Sequence, residues 1–381
     1  MKYCIEGSNA VARTVNLCRP GVVSAYPITP QTHIVEDLSK LRSDGQADFE
    51  YVRAESEFSA ASIVLGASAA GARTYTATCS QGLLLMSEVI FTIAGMRLPV
   101  VLTCANRAVS APINIWNDQQ DAMTVRDSGW IMFFAENNQE VVDFHILAFK
   151  IAEQTKIPVM VNMDGFVLTH TFEPVEIPEQ AMVDSYLPAY CPEPGQFLDP
   201  ENPVSLGCFA TPADYMEIRQ DLASDLEVSK KIIKKEFDSY RKIFKRGDDG
   251  LVEYYGSKNA AVVFMAMGSV VGTIRASVDE INNAGGSAAV LKIKCFRPFP
   301  TLEIIKALSG AKNVAVIDKS ISLGNEGILA SEVKAAMRDP KIKIQSFVAG
   351  LGGRDITRKM IAAIYKQAQK GNSGLVFVGK C

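Results

Sequence analysis

Four polar segments stand directly after apolar runs that read as buried strands: Pro27 to Thr32, Ser80 to Gly82, Asn106 to Asp121, and Asp164-Gly165. In open parallel sheets, ligands sit outside the carboxyl ends of the strands. Four such loops on one edge point to a site there, while each loop alone also fits plain turn chemistry. Ala105-Asn106-Arg107-Ala108 is the sharpest of them. An arginine directly after a buried strand is poorly placed for solvent, and its planar donors suit a carboxylate bidentately. The competing reading is a structural ion pair with a nearby acid. Ala54-Glu55-Ser56-Glu57 opens a helix. One acid there serves as an N-terminal carboxylate favoured by the helix dipole, or else as a buried acid with a chemical role. Glu57 begins the face that carries Ala60, Ala61 and Val64, so it is the one expected to point inward. Asp118 and Asp121 read as loop caps, without metal-ligand spacing.

The elements that must position these residues alternate between two periods. Val22 to Tyr26, Arg73 to Thr78, Pro99 to Cys104 and Val159 to Met163 read as strands. Near-continuous apolar runs of this kind suit parallel strands covered on both faces. Helices are expected over Ile34 to Leu41, Glu57 to Ala70, Leu83 to Ala94 and Val141 to Gln154. The alternation predicts a doubly covered parallel α/β sheet. The alanine, serine and glycine of the Glu57 helix predict close packing against another helix or another chain. From Phe172 to Gly207 recurrent prolines replace periodicity, and a long charged helix is expected over Ala213 to Lys245. The basic stretch Lys230 to Lys235 reads as a solvated helix face. A second run of βα units begins near Asn259. The expected organisation is therefore 1–175, a linker with the charged helix over 176–255, and a smaller α/β domain over 256–381.

The totals narrow the function classes. The 39 basic and 42 acidic residues leave a formal charge of −3, which gives no electrostatic footprint for nucleic acid or an anionic membrane. No run approaches the length of a membrane span, and the N-terminus does not read as a signal peptide. The eight cysteines include no CxxC spacing, and several sit in apolar strand-like runs, where buried free thiols are expected; together they predict a reducing cytoplasmic location and no cluster or zinc site built by this chain alone. The three histidines, His33, His145 and His170, are scattered and read as structural. Acid–base chemistry centred on histidine is thus disfavoured, and chemistry here should lean on a cofactor. Met267-Gly268-Ser269-Val270-Val271-Gly272 lacks the full dinucleotide spacing and is weak evidence for one. Gly247-Asp248-Asp249-Gly250 with Asn282-Asn283 fails as a thiamine diphosphate–Mg²⁺ signature, because no buried strand precedes it and the spacing is too long.

Several segments stand together in order: Tyr26-Pro27-Ile28-Thr29-Pro30, Glu55-Ser56-Glu57, Ser80-Gln81-Gly82-Leu83, Asn106-Arg107-Ala108, Ala111 to Asp118, and Asn162 to Phe166. Arg297-Pro298-Phe299-Pro300 and Gly352-Gly353-Arg354-Asp355 extend the set. Together they resemble the α subunit of 2-oxoacid:ferredoxin oxidoreductases, most closely the pyruvate-specific branch, over nearly the whole chain. The resemblance implies a thiamine-diphosphate-binding pyrimidine-type domain followed by a domain like the C-terminal domain of transketolase. It implies that Glu57 hydrogen-bonds the aminopyrimidine ring, favouring the imino tautomer that deprotonates the thiazolium C2, while the ring serves as electron sink. It places Thr29 beside the substrate, Pro27 and Ile28 with it along the cofactor, and Arg107 at the substrate carboxylate. It further implies a β subunit supplying the diphosphate and Mg²⁺ site plus an iron–sulfur cluster, a γ subunit, and a ferredoxin-like δ subunit with further clusters. The expected reaction is oxidative decarboxylation of pyruvate with coenzyme A to acetyl-CoA, CO₂ and reduced ferredoxin. The rivals are an aromatic 2-oxo acid (phenylglyoxylate) enzyme sending electrons to NAD through a flavin subunit, a non-catalytic assembly subunit, and a stand-alone transferase of the transketolase type.

Overall fold

The computed structural model describes residues 2–247 and 250–379. Asp248 and Asp249 of the Gly247–Gly250 segment lie outside the described residues. Two large sheets organise the chain. In the first, the strand order is Glu50–Arg53, Val22–Ala25, Thr74–Thr78, Val101–Asn106, Val159–Asp164, Ile131–Phe134 and Cys295–Arg297. All neighbours run parallel except the last strand, which is antiparallel. The three central strands, Thr74–Thr78, Val101–Asn106 and Val159–Asp164, are buried throughout, although the first carries three threonines. In the second sheet the order is Val252–Gly256, Ala288–Ile293, Val262–Ala266, Asn313–Asp318, Lys343–Val348 and Leu375–Phe377. Its first strand alone is antiparallel to its neighbour.

Both sheets reverse direction of winding at one place. In the first, the chain leaves Val22–Ala25 toward one edge and Thr74–Thr78 toward the other, and these two strands are neighbours. In the second, Val262–Ala266 and Asn313–Asp318 stand in the same relation. Such switch points leave a crevice at the strand carboxyl ends, where ligands of open α/β sheets bind.

Helices cover the sheets. Glu57–Ala69 starts at Ser56, whose hydroxyl accepts the Ser59 N–H, and its Ala60, Ala61, Val64 and Ser68 face inward. The apolar stretch expected as one helix from Leu83 is two, Ser80–Leu85 and Ser87–Gly95, meeting at Met86. The proline-rich stretch is not wholly irregular. Phe172–Glu176 pairs antiparallel with an N-terminal strand, Lys2–Glu6, and Gln180–Tyr186 is helical. The 30-residue helix Tyr215–Phe244 buries Ile233, Phe237, Tyr240 and Phe244 against Asn138–Thr155. Most of its charged residues face out, where Lys230 pairs with Glu227 and Lys234 reaches Glu303, but Glu236 is buried and accepts from Tyr186 and Gln154. Among the described residues, no helix is long and apolar enough to cross a membrane.

Candidate active site

The loop Tyr26–Gln31 and the segment Cys79–Gly82 leave the two strands that flank the first switch point. Side chains tie them together. Gln31 is buried and donates through Nε2 to the Ala77 carbonyl at 2.7 Å. The Cys79 thiol donates to the Thr29 carbonyl at 3.2 Å. Burial and the nearby Asp121 carboxylate push the Cys79 thiol up, against the opposing Arg107 charge, so Cys79 stays a neutral packing group. Thr29 and Pro27 are exposed and Ile28 is half-buried, so the loop presents its side chains outward while its backbone is fixed.

Arg107 is buried and completes this wall. Its Nη1 donates to the Thr29 carbonyl and its Nε to the Asn114 carbonyl, both at 2.9 Å. Among the described residues it has no carboxylate within salt-bridge distance, so the structural ion pair weighed from the sequence does not form. A buried guanidinium neutralised by no acid is costly to desolvate and is a ready receiver for an anion. Asp121 holds the arginine's backbone rather than its charge. Its fully buried carboxylate accepts the N–H groups of Arg107 and Ser80, both at 2.9 Å, that of Ala122 at 2.7 Å, and Asn106 Nδ2 at 3.1 Å. Burial pushes the Asp121 carboxyl up, while these donors pull it down. Asp121 therefore staples together the loops after the Thr74–Thr78 and Val101–Asn106 strands, which is more than the cap expected from its sequence position.

Glu57 is the first residue of its helix and is buried, whereas Glu55 is exposed and bonds Ser59. Among the described residues the Glu57 carboxylate has no hydrogen-bond or ion-pair partner. Gly82 packs directly against it: a Cβ there would stand 2.7 Å from Glu57 Oε1 and 2.5 Å from Thr78 Oγ1. Thr78 Oγ1 is itself buried without a partner. Thr74 Oγ1 and Thr76 Oγ1 of the same strand share that state, so it is the Glu57 carboxylate, buried beside them without a partner, that stands out, since a buried charge is costly unless paired. Gly82 escaped the sequence reading as an individual residue; its signal was its position directly after a strand and opposite a helical acid.

The second sheet meets this site through Asp164. Asp164 ends the Val159–Asp164 strand and projects into the second switch point. Its Oδ2 accepts Lys319 Nζ at 3.0 Å, the Ser269 N–H at 2.9 Å and the Ser269 hydroxyl. Its Oδ1 accepts Asn117 Nδ2 at 3.1 Å and Gln119 Nε2 at 3.3 Å. Burial opposes ionisation, but Lys319 and Ser269 hold the carboxyl below the usual range. Gly268, at φ +76°, lets the backbone approach; a Cβ would lie 2.5 Å from Gln119 Nε2. The partial glycine motif thus receives an internal carboxylate where a dinucleotide enzyme would receive a phosphate. Asp118 reinforces the joint, accepting Gln120 N–H at 3.0 Å and Gly352 N–H at 3.1 Å; burial pushes its carboxyl up to about 6. Sequence reasoning read Asp118 as a local cap and missed Lys319 and Ser269, because a contact across 155 residues leaves no local pattern. Of the histidines, His145 is fully buried between Thr103 Oγ1 and the Val141 carbonyl, and burial lowers it to about 4. It is a neutral structural group.

Known proteins resemble this chain in sequence and fold. Residues 13–238 match the family model described as pyruvate flavodoxin/ferredoxin oxidoreductase, thiamine diphosphate-binding, and residues 260–361 match the pyruvate:ferredoxin oxidoreductase core domain II model. Pyruvate synthase subunit PorA of Methanosarcina barkeri is 48% identical over 96% of this chain and 92% of its own length. The same-named subunit of Methanothermobacter thermautotrophicus is 44% identical over 98% and 97%. Ketoisovalerate oxidoreductase subunit VorA of Pyrococcus horikoshii is 41% identical over 97% and 94%. Among solved structures, a 2-oxoglutarate:ferredoxin oxidoreductase from Magnetococcus marinus superposes with a TM-score of 0.74 at 20% identity. It covers 97% of this chain, which spans 65% of that one. The fold is the α/β arrangement of thiamine-diphosphate enzymes, and the chain belongs to the pyruvate flavodoxin/ferredoxin oxidoreductase family.

Proposed function

We propose that this chain is the α-type subunit of a complex that oxidatively decarboxylates pyruvate with coenzyme A, giving acetyl-CoA, CO₂ and reduced ferredoxin. The observation that carries the site assignment is the buried, partnerless Glu57 carboxylate, against which Gly82 allows the next strand-end loop to pack closely. That environment fits the aminopyrimidine end of thiamine diphosphate. The chemistry supplied by the bound cofactor is a carbon nucleophile and an electron sink for CO₂ loss. The chain's own residues do the rest. Glu57 shares a proton with the ring nitrogen, and its burial strengthens that hydrogen bond. Arg107 receives the substrate carboxylate with guanidinium donors not engaged by Thr29 and Asn114. Thr29 faces the substrate from a loop that Gln31, Cys79 and Arg107 hold rigid, with Pro27 and Ile28 lining the cofactor side. A site fixed in this way limits the entropy lost on reaching the reactive arrangement.

The reading also requires partners. This chain offers no diphosphate–Mg²⁺ signature and no cysteine set spaced for a cluster. A β subunit carrying both, a γ subunit and a ferredoxin-like δ subunit complete the proposal, in a cytoplasmic complex. The names of the relatives at 42–48% identity support pyruvate, and no relative named here acts on an aromatic 2-oxo acid. The test is steady-state turnover of the purified complex on pyruvate, 2-oxoisovalerate and phenylglyoxylate, with coenzyme A and ferredoxin. Pyruvate should give the highest kcat/KM; a higher value for either other acid would overturn the substrate assignment.

A further inference from the structure

Two of the chain's histidines, treated separately in the sequence, meet in the fold together with an acid. Glu6 ends the Lys2–Glu6 strand, His33 lies in the first turn of Thr32–Ser43, and His170 precedes the Phe172–Glu176 strand. The antiparallel register sets Glu6 opposite Phe172, two residues beyond His170. One ligand-type atom from each of Glu6, His33 and His170 lies within 4.8 Å of the others. All three side chains are partly exposed, so an ion from solution can reach them.

We propose that Glu6, His33 and His170 form a binding site for a divalent transition ion of the Zn²⁺, Co²⁺ or Ni²⁺ type, outside the proposed catalytic machinery. Imidazole and carboxylate together suit such ions. Ligand atoms about 2.1 Å from one ion stand roughly 2.9 Å apart at a right angle and about 3.4 Å apart in a tetrahedron. Glu6 Oε1 and His33 Nδ1 are 2.8 Å apart, close to the octahedral spacing already; in the metal-free chain a proton joins them. His170 is oriented from behind. Its Nδ1 contacts Thr169 Oγ1 at 2.7 Å, leaving Nε2 as the ligand nitrogen, and a hydrogen bond on the second nitrogen is the usual support of a metal-bound imidazole.

The frame around the three residues is rigid. Ser8 donates through both its N–H and its hydroxyl to the Thr169 carbonyl, at 3.0 and 2.9 Å. Thr169 Oγ1 accepts the Phe166 N–H at 2.8 Å. The rings of His33, His170, Phe166 and Trp116 form a continuous row of tilted contacts with centroids 4.6 to 4.7 Å apart. Among the described residues, a second such cluster is different: Glu136, Glu140 and Glu253 surround the Lys292 ammonium, with Arg275 on Glu136 and Glu253. That cluster already holds its cations, whereas the Glu6 site offers one carboxylate and two imidazoles to an incoming ion.

The experiment is titration of the full-length chain with Co²⁺, read by its visible d–d absorption and by calorimetry, followed by competition with Zn²⁺. We expect one saturable ion per chain, displaced by Zn²⁺, and a melting temperature that rises with Zn²⁺ concentration. His170→Ala and Glu6→Gln should each weaken binding by about tenfold or more. Glu6→Gln keeps an oxygen toward His33, so it separates lost coordination from lost folding; unchanged circular dichroism checks this. Absence of saturable binding in the wild-type chain, or equal affinity in both variants, would overturn the proposal.

Discussion

A carboxylate in the first turn of a helix ordinarily rests on free backbone N–H groups or on water. Glu57 does neither: it is buried, and Gly82 packs closely against it. Two substitutions probe this arrangement without touching the acid's charge directly. Gly82→Ala places a methyl 2.7 Å from Glu57 Oε1, so the carboxylate must shift. Turnover of the complex should fall on the order of 10²-fold, as for displacements of about 1 Å at a reacting centre. Parallel melting curves should show the complex still folded. Arg107→Lys keeps a charge but loses the planar fork that reaches the Thr29 and Asn114 carbonyls. KM for the 2-oxo acid should rise by about tenfold or more, with a smaller change in kcat; an unchanged KM would remove the carboxylate-binding role. At this scale much was legible. An arginine just beyond a buried strand and an acid at the start of a small-residue helix are both local patterns. The need for glycine at 82 was not legible, because it comes from the close approach of Glu57, on a helix that begins 25 residues earlier.

The elements explain where sequence reasoning stopped. Strand–helix alternation disclosed the parallel sheets because a strand covered on both faces must be apolar along its length. Cys295–Arg297 was illegible: three residues cannot show a period, and their partner Ile131–Phe134 lies over 160 residues away. The Lys2–Glu6 strand and its partner were hidden by partial exposure and by Pro174. Met267-Gly268-Ser269 looked like a weak phosphate loop because it is the same physical device, a glycine turn at a helix N-terminus, serving the Asp164 carboxylate instead. That contact sets a stability prediction. Lys319→Met leaves Asp164 buried without its cation, and loss of one partner of a buried pair costs about 3–5 kcal/mol, measurable by chemical denaturation. The pH dependence has a definite sign. Folding lowers the Asp164 pKa, so the unfolded chain binds its proton more tightly. The stabilising contribution is present above the unfolded value, about 3.9, and is lost as pH falls through the lower folded value. Asp164→Asn should therefore be less stable than wild type at pH 7, and the difference should shrink below about pH 4. A gap of constant size would assign the cost to packing instead.

At the scale of the whole molecule, the two switch-point crevices have opposite fates. One is closed by Asp164 from within the chain; the other holds Glu57, Thr78 and Arg107 with unmet capacity. A closed crevice makes the second unit a support for the first, and the open one makes the chain an incomplete enzyme. Calorimetry with thiamine diphosphate and Mg²⁺ should accordingly give no saturable binding to the isolated chain and clear binding once the β subunit is added. Binding by the chain alone would favour a self-sufficient transferase. The claim on which all of this rests is that Glu57 acts on the cofactor. Its most direct measurement is coenzyme A-dependent pyruvate oxidation by the assembled complex carrying Glu57→Ala, with assembly checked by size-exclusion chromatography. The expected result is a loss in kcat of about 10²–10⁴-fold in an intact complex; near-wild-type turnover in that same complex would contradict the assignment and leave this chain a scaffold.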